Sequence, residues 1–190
     1  MKGYVVLTKI GEIKIEAKEG ILVGRDCGRA SLNHVIASIE NSPSFSVIPL
    51  DFGNLRFLDF SSADEFLGKL ISRLSSGEFK DIYIYLENLS AETEETIDAM
   101  LQLRGQNAVV IGSDGFPKIL GKLNPVLKET FDLITTDKEV SARKLADKKN
   151  IAINASSNRL TKLQSLGLIA RMGTSSGKGA EQFVYRSLVT

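Results

Sequence analysis

The chain has 190 residues, 43% of them hydrophobic, with 24 Lys or Arg against 23 Asp or Glu and a formal net charge of +1. Such a balance is that of a globular protein, and the length suits one medium domain plus one small one. No apolar run approaches the ~20 residues of a membrane span, residues 1–7 lack a secretory-signal pattern, and the single cysteine excludes an intramolecular disulfide or a cysteine-cluster metal site; a soluble cytoplasmic protein is expected.

Residues 4–8 and 12–16 flank Lys9-Ile10-Gly11 and predict an opening hairpin. The second strand alternates charge with isoleucine, which places it at a sheet edge. A short apolar run, Ile21-Leu22-Val23, ends at Gly24, and a helix is predicted over 30–40 with Leu32, Val35, Ile36 and Ile39 inward. His34 lies off that stripe, and the chain has no other histidine to join it in metal or acid–base work. Cys27 stands between Arg25 and Arg29, a setting that can lower a thiol pKa; a plain half-buried thiol is the expectation.

Residues 47–52 predict a strand, Gly53-Asn54 a turn, and residues 57–60 a return to the core. Ser61 is predicted to open a helix with Phe66, Leu67, Leu70 and Leu74 inward, since Ser61-Ser62-Ala63-Asp64 fits a loose capping box. Residues 82–86 read as a buried strand, and 92–104 as a helix whose first turn is acidic, where the helix dipole favours negative charge. A further strand over 108–111 ends at Gly112-Ser113-Asp114-Gly115, a place where ligands of parallel sheets often bind, although the three-glycine dinucleotide pattern is missing. Pro117 is predicted to begin a helix or helical pair interrupted by Pro125, and residues 131–134 a last short strand. Strands alternating with helices imply an α/β fold with a mixed, mainly parallel sheet.

The last third has a different character. Ser141 is a candidate cap for a helix over 140–149 with Leu145 and Ala146 inward. A second helix carries Leu160, Leu163 and Leu166 in one stripe, with Asn154 as its cap and Gly167 as its C-terminal stop. Residues 168–172 and 182–186 predict two strands joined by a glycine-rich tip over 173–180. That tip is no P-loop: its glycines are one residue too close, Gly179 follows Lys178, and it joins two strands.

Charge divides the chain in the same place. From Thr136 onward there are ten Lys or Arg and four Asp or Glu, which leaves 14 basic and 19 acidic of the 24 and 23 before it. A basic module on an acidic one suits phosphate binding at one end only. Ser157, Asn158, Thr161 and Lys162 point away from the leucine stripe and are candidates for reading base edges. Arg159, Arg171 and Lys178, with Lys148 and Lys149, are candidates for holding phosphates.

Helix, tight turn, helix and β-hairpin over roughly 137–188 resembles the winged helix-turn-helix family, with residues 159–169 matching its recognition-helix ending. The resemblance implies that the second helix lies in the major groove of double-stranded DNA. Residues 51–63 are similar to the signature of STAS domains, the anti-sigma-factor antagonists, and closer still to bacterial STAS-like domains. There the resemblance implies a serine that a partner kinase phosphorylates. Asp59 and Ser61 fall at matching positions, whereas Phe60 and Ser62 replace the family's first serine and glycine. Simple capping accounts for such serines as well.

Two domains are therefore expected: a STAS-like α/β domain over 1–135 for sensing, partner binding or dimerisation, and a small winged helix over 136–190. No catalytic constellation or cofactor motif is present. The expected function is a bacterial DNA-binding transcriptional regulator acting as a homodimer. The alternative is a protein-interaction switch engaging a kinase or anti-sigma-type partner, with the winged helix as adaptor.

Overall fold

The computed structural model describes residues 7–174 and 182–189. Strands β1 (Thr8–Lys9) and β2 (Ile13–Lys14) both run parallel to β4 (Ser46–Asp51), with Thr8 opposite Ser46 and Ile13 opposite Leu50. The expected hairpin does not form. Ile10 and Ile15 donate N–H bonds to Val47 and Asp51 carbonyls, so the chain continues along β4 as one interrupted edge strand.

After the short β3 (Ile21–Leu22), helix α1 (Arg25–Glu40) begins five residues earlier than predicted and buries Leu32, Val35, Ile36 and Ile39. Gly28 is buried in its first turns because a Cβ there would meet the Ser62 carbonyl oxygen at 2.6 Å. Cys27 is exposed rather than half-buried, since its neighbour Gly28 occupies the inward position. His34 is exposed.

Strand β5 (Phe57–Leu58) pairs in parallel with β3, which puts Leu22 and Leu58 inside and leaves Ile21 and Phe57 outside. Phe57 and Phe60 do not return to the core as expected; they are 50% and 43% exposed. A run of helix follows as α2 (Phe60–Ala63), a π-turn (Asp64–Gly68) and α3 (Lys69–Ser75). Then come β6 (Ile82–Glu87), α4 (Ala91–Arg104), capped by Ser90, and β7 (Ala108–Ile111).

Beyond β7 the predicted helix at Pro117 is instead β8 (Pro117–Leu120), antiparallel to β7. Proline is tolerated there because it is the first residue of an edge strand. Gly112 to Gly115 thus form a hairpin tip, where Asp114 accepts the Phe116 N–H at 3.0 Å. The fold is mixed α/β, with a mostly parallel central sheet in the order β1-β4-β6-β7-β8.

Helix α5 (Pro125–Asp137) starts with proline at its first position and Asn124 as cap, a pairing that suits a missing N–H. It absorbs residues 131–134, which were expected as a strand; Phe131 and Ile134 are its buried stripe. It packs on the C-terminal elements, so the boundary expected after residue 135 falls inside it. Those elements are β9 (Glu139–Ser141), α6 (Ala142–Lys149), α7 (Ile153–Ser165), β10 (Ile169–Thr174) and β11 (Gln182–Ser187). Val140, expected within a helix, instead belongs to β9, which closes a three-stranded antiparallel sheet in the order β10-β11-β9, while Ser141 caps α6 as expected.

Two cores lie on the two faces of the central sheet. Ile48, Leu50, Ile84, Leu86 and Val110 face one core together with residues of α1 to α4. Their strand neighbours Val47, Tyr83, Tyr85 and Val109 face the other, shared with Phe131, Ile134, Leu160, Leu163, Ala170 and Met172. Alternation along a strand sends successive side chains to opposite faces, so the C-terminal unit is the cover of the sheet's second face.

A shared core makes the two parts unfold together. Phe131→Ala is expected to cost about 3–5 kcal/mol, with coincident urea transitions for tyrosine fluorescence and far-UV circular dichroism. Two separated transitions would show that the C-terminal unit is held independently.

Candidate nucleic-acid interface

Helix α6 is capped by Ser141, whose hydroxyl accepts the Lys144 N–H at 3.2 Å, and it ends at Asn150 in the left-handed region. Only Asn150, Ile151 and Ala152 separate it from α7, so the turn is tight. Ala152, not Asn154, occupies the cap position of α7 and offers no side-chain acceptor. Asn154 therefore lies inside the first turn, exposed, with its amide left for other partners. At the other end Gly167 (φ +72°) supplies the left-handed stop, and Leu168 bonds back to Leu163.

Ser156, Leu160 and Leu163 form the buried side of α7. The spacing of 3.6 residues per turn puts Asn154, Asn158, Thr161 and Ser165 on the opposite side, all exposed. Lys162 is exposed on one flank and Ser157 half-buried on the other. Arg159 is half-buried and set back from this face, close enough to Glu129 to help depress its pKa. Of the side chains expected to read bases, Asn158, Thr161 and Lys162 thus share the outer face and Ser157 borders it. Asn154 and Ser165 belong there as well; the helical period carries that signal, but the capping preference of Asn points to the cap instead.

The basic residues fall into two groups. Lys148 and Lys144 both hold Asp137, at 2.7 and 3.2 Å, and Lys149 holds Glu129 at 2.6 Å. Asp137 and Glu129 are accordingly kept below the usual carboxylate range, first by the hydrogen bonds from those lysines. Arg186 is paired with Glu139 at 2.8 Å. Lys148 and Lys149 are therefore turned toward α5 rather than free for phosphate. Lys138, Arg143, Arg159, Lys162 and Arg171 make no ion pair among the described residues. Arg171 is exposed on β10, its guanidinium 4.6 Å from the centre of the Phe183 ring. Lys178 lies outside the described residues.

No family model, curated protein or solved structure matches the chain. Among the described residues no helix is long and apolar enough to cross a membrane, and no group of three or more His, Cys, Asp or Glu is placed to hold a metal ion.

The second expected site, Asp59 and Ser61, lies on the other side of the sheet, at the start of α2. Asp59 is the helix cap, a role the sequence assigned to Ser61. Its carboxylate accepts the Ser62 N–H at 2.8 Å and the Gly24 N–H at 3.2 Å, and the Ser62 hydroxyl has its one proton shared between that carboxylate and the Leu22 carbonyl at 2.7 Å. Ser61 is exposed one position into the helix. Of the first-turn N–H groups that a phosphate on Ser61 would seek, that of Ser62 is already held by the Asp59 carboxylate.

Burial raises the Asp59 pKa, but the hydrogen bonds from Ser62 and Gly24 outweigh it and leave the carboxyl below its ordinary value of 3.8. A depressed native pKa stabilises the fold above the unfolded value and loses that contribution as pH falls through the native one. Asp59→Ala is expected to cost about 1 kcal/mol at pH 7. The gap to wild type should close progressively below the ordinary carboxylate range, as urea midpoints measured from pH 7 down to pH 2.5 would register; a gap that stays constant would place the stabilisation elsewhere.

Proposed function

We propose that this chain is a DNA-binding transcriptional regulator in which α7 enters the major groove. The observation that carries the reading is the outer face of α7. Five exposed polar side chains, Asn154, Asn158, Thr161, Lys162 and Ser165, line it, and the helix holds no carboxylate. The element order α5-β9-α6-α7-β10-β11, with a three-stranded antiparallel sheet, supports a winged helix-turn-helix.

A helix about 10–12 Å across fits the ~12 Å major groove, and 13 residues span roughly 20 Å of it. Asn154 and Asn158 are suited to adenine edges, Lys162 to guanine acceptors, and Thr161 to either. Arg171, Arg159 and Lys178 serve the phosphates, which fix the register without reading sequence. The α/β part, STAS-like in this reading, supplies sensing and dimerisation; two copies on paired half-sites multiply the affinity of a single small module. The role is one of binding, without a cofactor.

Fluorescence anisotropy with random duplex DNA at two salt concentrations tests the proposal. Affinity is expected to fall steeply with salt, and Lys162→Glu to weaken binding about tenfold or more, equivalent to roughly 1.4 kcal/mol. Absence of binding at low salt would sink it.

One observation favours a second reading, a switch that engages a kinase or anti-sigma-type protein. Ile21, Val23, Phe57 and Phe60 are all 43–50% exposed beside Ser61, and exposed apolar groups of this kind mark interaction surfaces. Under that reading Ser61→Asp alters capture of the partner while Lys162→Glu leaves it intact; the opposite pattern would exclude it.

A further inference from the structure

A cavity of about 300 Å³ opens where the sheet, the end of α3 and the last turn of α7 meet. Leu74 and Phe79 on the α/β side and Leu166 on the C-terminal side line it, and all three are half-buried. Leu160 and Leu163, one and two turns earlier in the same stripe, are fully buried. The stripe therefore loses its cover at this opening and nowhere else along its length. Protein interiors are packed as densely as organic crystals, so three partly bare apolar side chains around one space leave dispersion contacts unmade.

We propose that this cavity binds a small uncharged aromatic or alicyclic molecule and couples its occupancy to the position of α7. The volume has room for about ten non-hydrogen atoms, taking ~30 Å³ for each water-sized unit, and lies at the small end of ligand pockets, which favour such seams. The walls are apolar, through Ile84 and Val109 of the sheet. At the mouth Lys80 is adjacent to Asp81, and nearby Arg73 pairs with Glu78. The lining thus carries one charge of each sign and no net charge to select a charged head group. Hydrogen-bonding capacity inside comes from Gln164, Asn107 and the Tyr83 hydroxyl.

Coupling follows from the roof. Residues 164–167 line the cavity and form the end of the same helix that exposes Thr161, Lys162 and Ser165. Tyr83, in the cavity wall, also accepts the Arg171 N–H at a long 3.5 Å. A molecule seated under Leu166 would bury it and fix the last turn of α7. The output of the site rests on the DNA-binding reading; the site itself does not.

The test uses the full chain with indole and 1-naphthol as probes and naphthalene-1-sulfonate as the charged counterpart. Both neutral probes are expected to raise the melting temperature saturably, by a few degrees, with the sulfonate at least tenfold weaker. Leu74→Trp fills the cavity from α3 and should abolish the shift. Ser75→Phe does so from the exposed rim, so the test survives if the first variant fails to fold. No shift in the wild type, or an unchanged shift in a folded variant, overturns the site. Saturating 1-naphthol should change DNA affinity at least fivefold in wild type and leave the filled variants unaffected. If the wild type binds no DNA, the DNA reading fails separately, and coupling is read from amide hydrogen exchange over 164–168. Exchange there should slow at least fivefold, and unchanged exchange overturns the coupling.

Discussion

The central sheet has two apolar faces, and the rest of the molecule is arranged to cover both. Along β4, β6 and β7 the side chains alternate between two cores, Ile48 and Leu50 against Val47, Ile84 and Leu86 against Tyr83 and Tyr85, Val110 against Val109. A parallel sheet is stable only when both faces are shielded from water. The first cover is the set α1 to α4, which the α/β alternation of the chain provides. The second is the C-terminal unit, whose three-stranded sheet is itself buried on two sides at one end. Ile169 and Ala170 are adjacent in β10 and point opposite ways, yet both are fully buried, whereas Arg171 and Phe183 further along the hairpin are exposed, so the sheet is covered on both faces at that end.

Burial of this kind dictates what remains free on the C-terminal unit. Helix α7 spends Ser156, Leu160 and Leu163 on the shared core, and α6 directs Lys144, Lys148 and Lys149 at Asp137 and Glu129. Exposed ion pairs of this sort contribute little to stability, but they do set the direction in which each lysine extends. The net positive charge counted in the sequence is therefore unevenly available: the α6 lysines are satisfied internally, whereas Lys162 and Arg171 face solvent on the elements that carry the outer surface.

Much of this was legible because the signals were local and periodic. The stripes of α1, α4 and α7, the strands β4, β6 and β7, the Ser141 cap and the Gly167 stop were each written in a few neighbouring residues. The errors arose where partners distant in sequence decide. Residues 117–120 carry a proline, and only pairing with β7 makes them a strand. Phe131 and Ile134 are too few to betray a period, and α5 is fixed by what lies above the sheet. Val140 is a strand because Tyr185 lies opposite it. At the candidate sites, the chemistry of Asn154 and Ser61 points to caps, since Asn and Ser favour that position. The chain begins each helix elsewhere, which leaves Asn154 on the outer face of α7 and gives the cap of α2 to Asp59.

The two candidate places, the start of α2 and the outer face of α7, lie on opposite sides of the sheet. Any influence of one on the other must pass through elements packed on both faces, and such elements resist small displacements because interiors are close-packed. Strand β6 contributes to both cores, but with five of its six residues buried it has little freedom of its own. A transmitted change requires an element with two arrangements available. The last turn of α7 is the least covered part of that path, since Leu166 is the one leucine of its stripe left partly uncovered, beside a cavity also lined by Leu74 and Phe79. The rigid sheet thus sets where α7 stands, and the incomplete packing beneath its final turn is where that position is least determined.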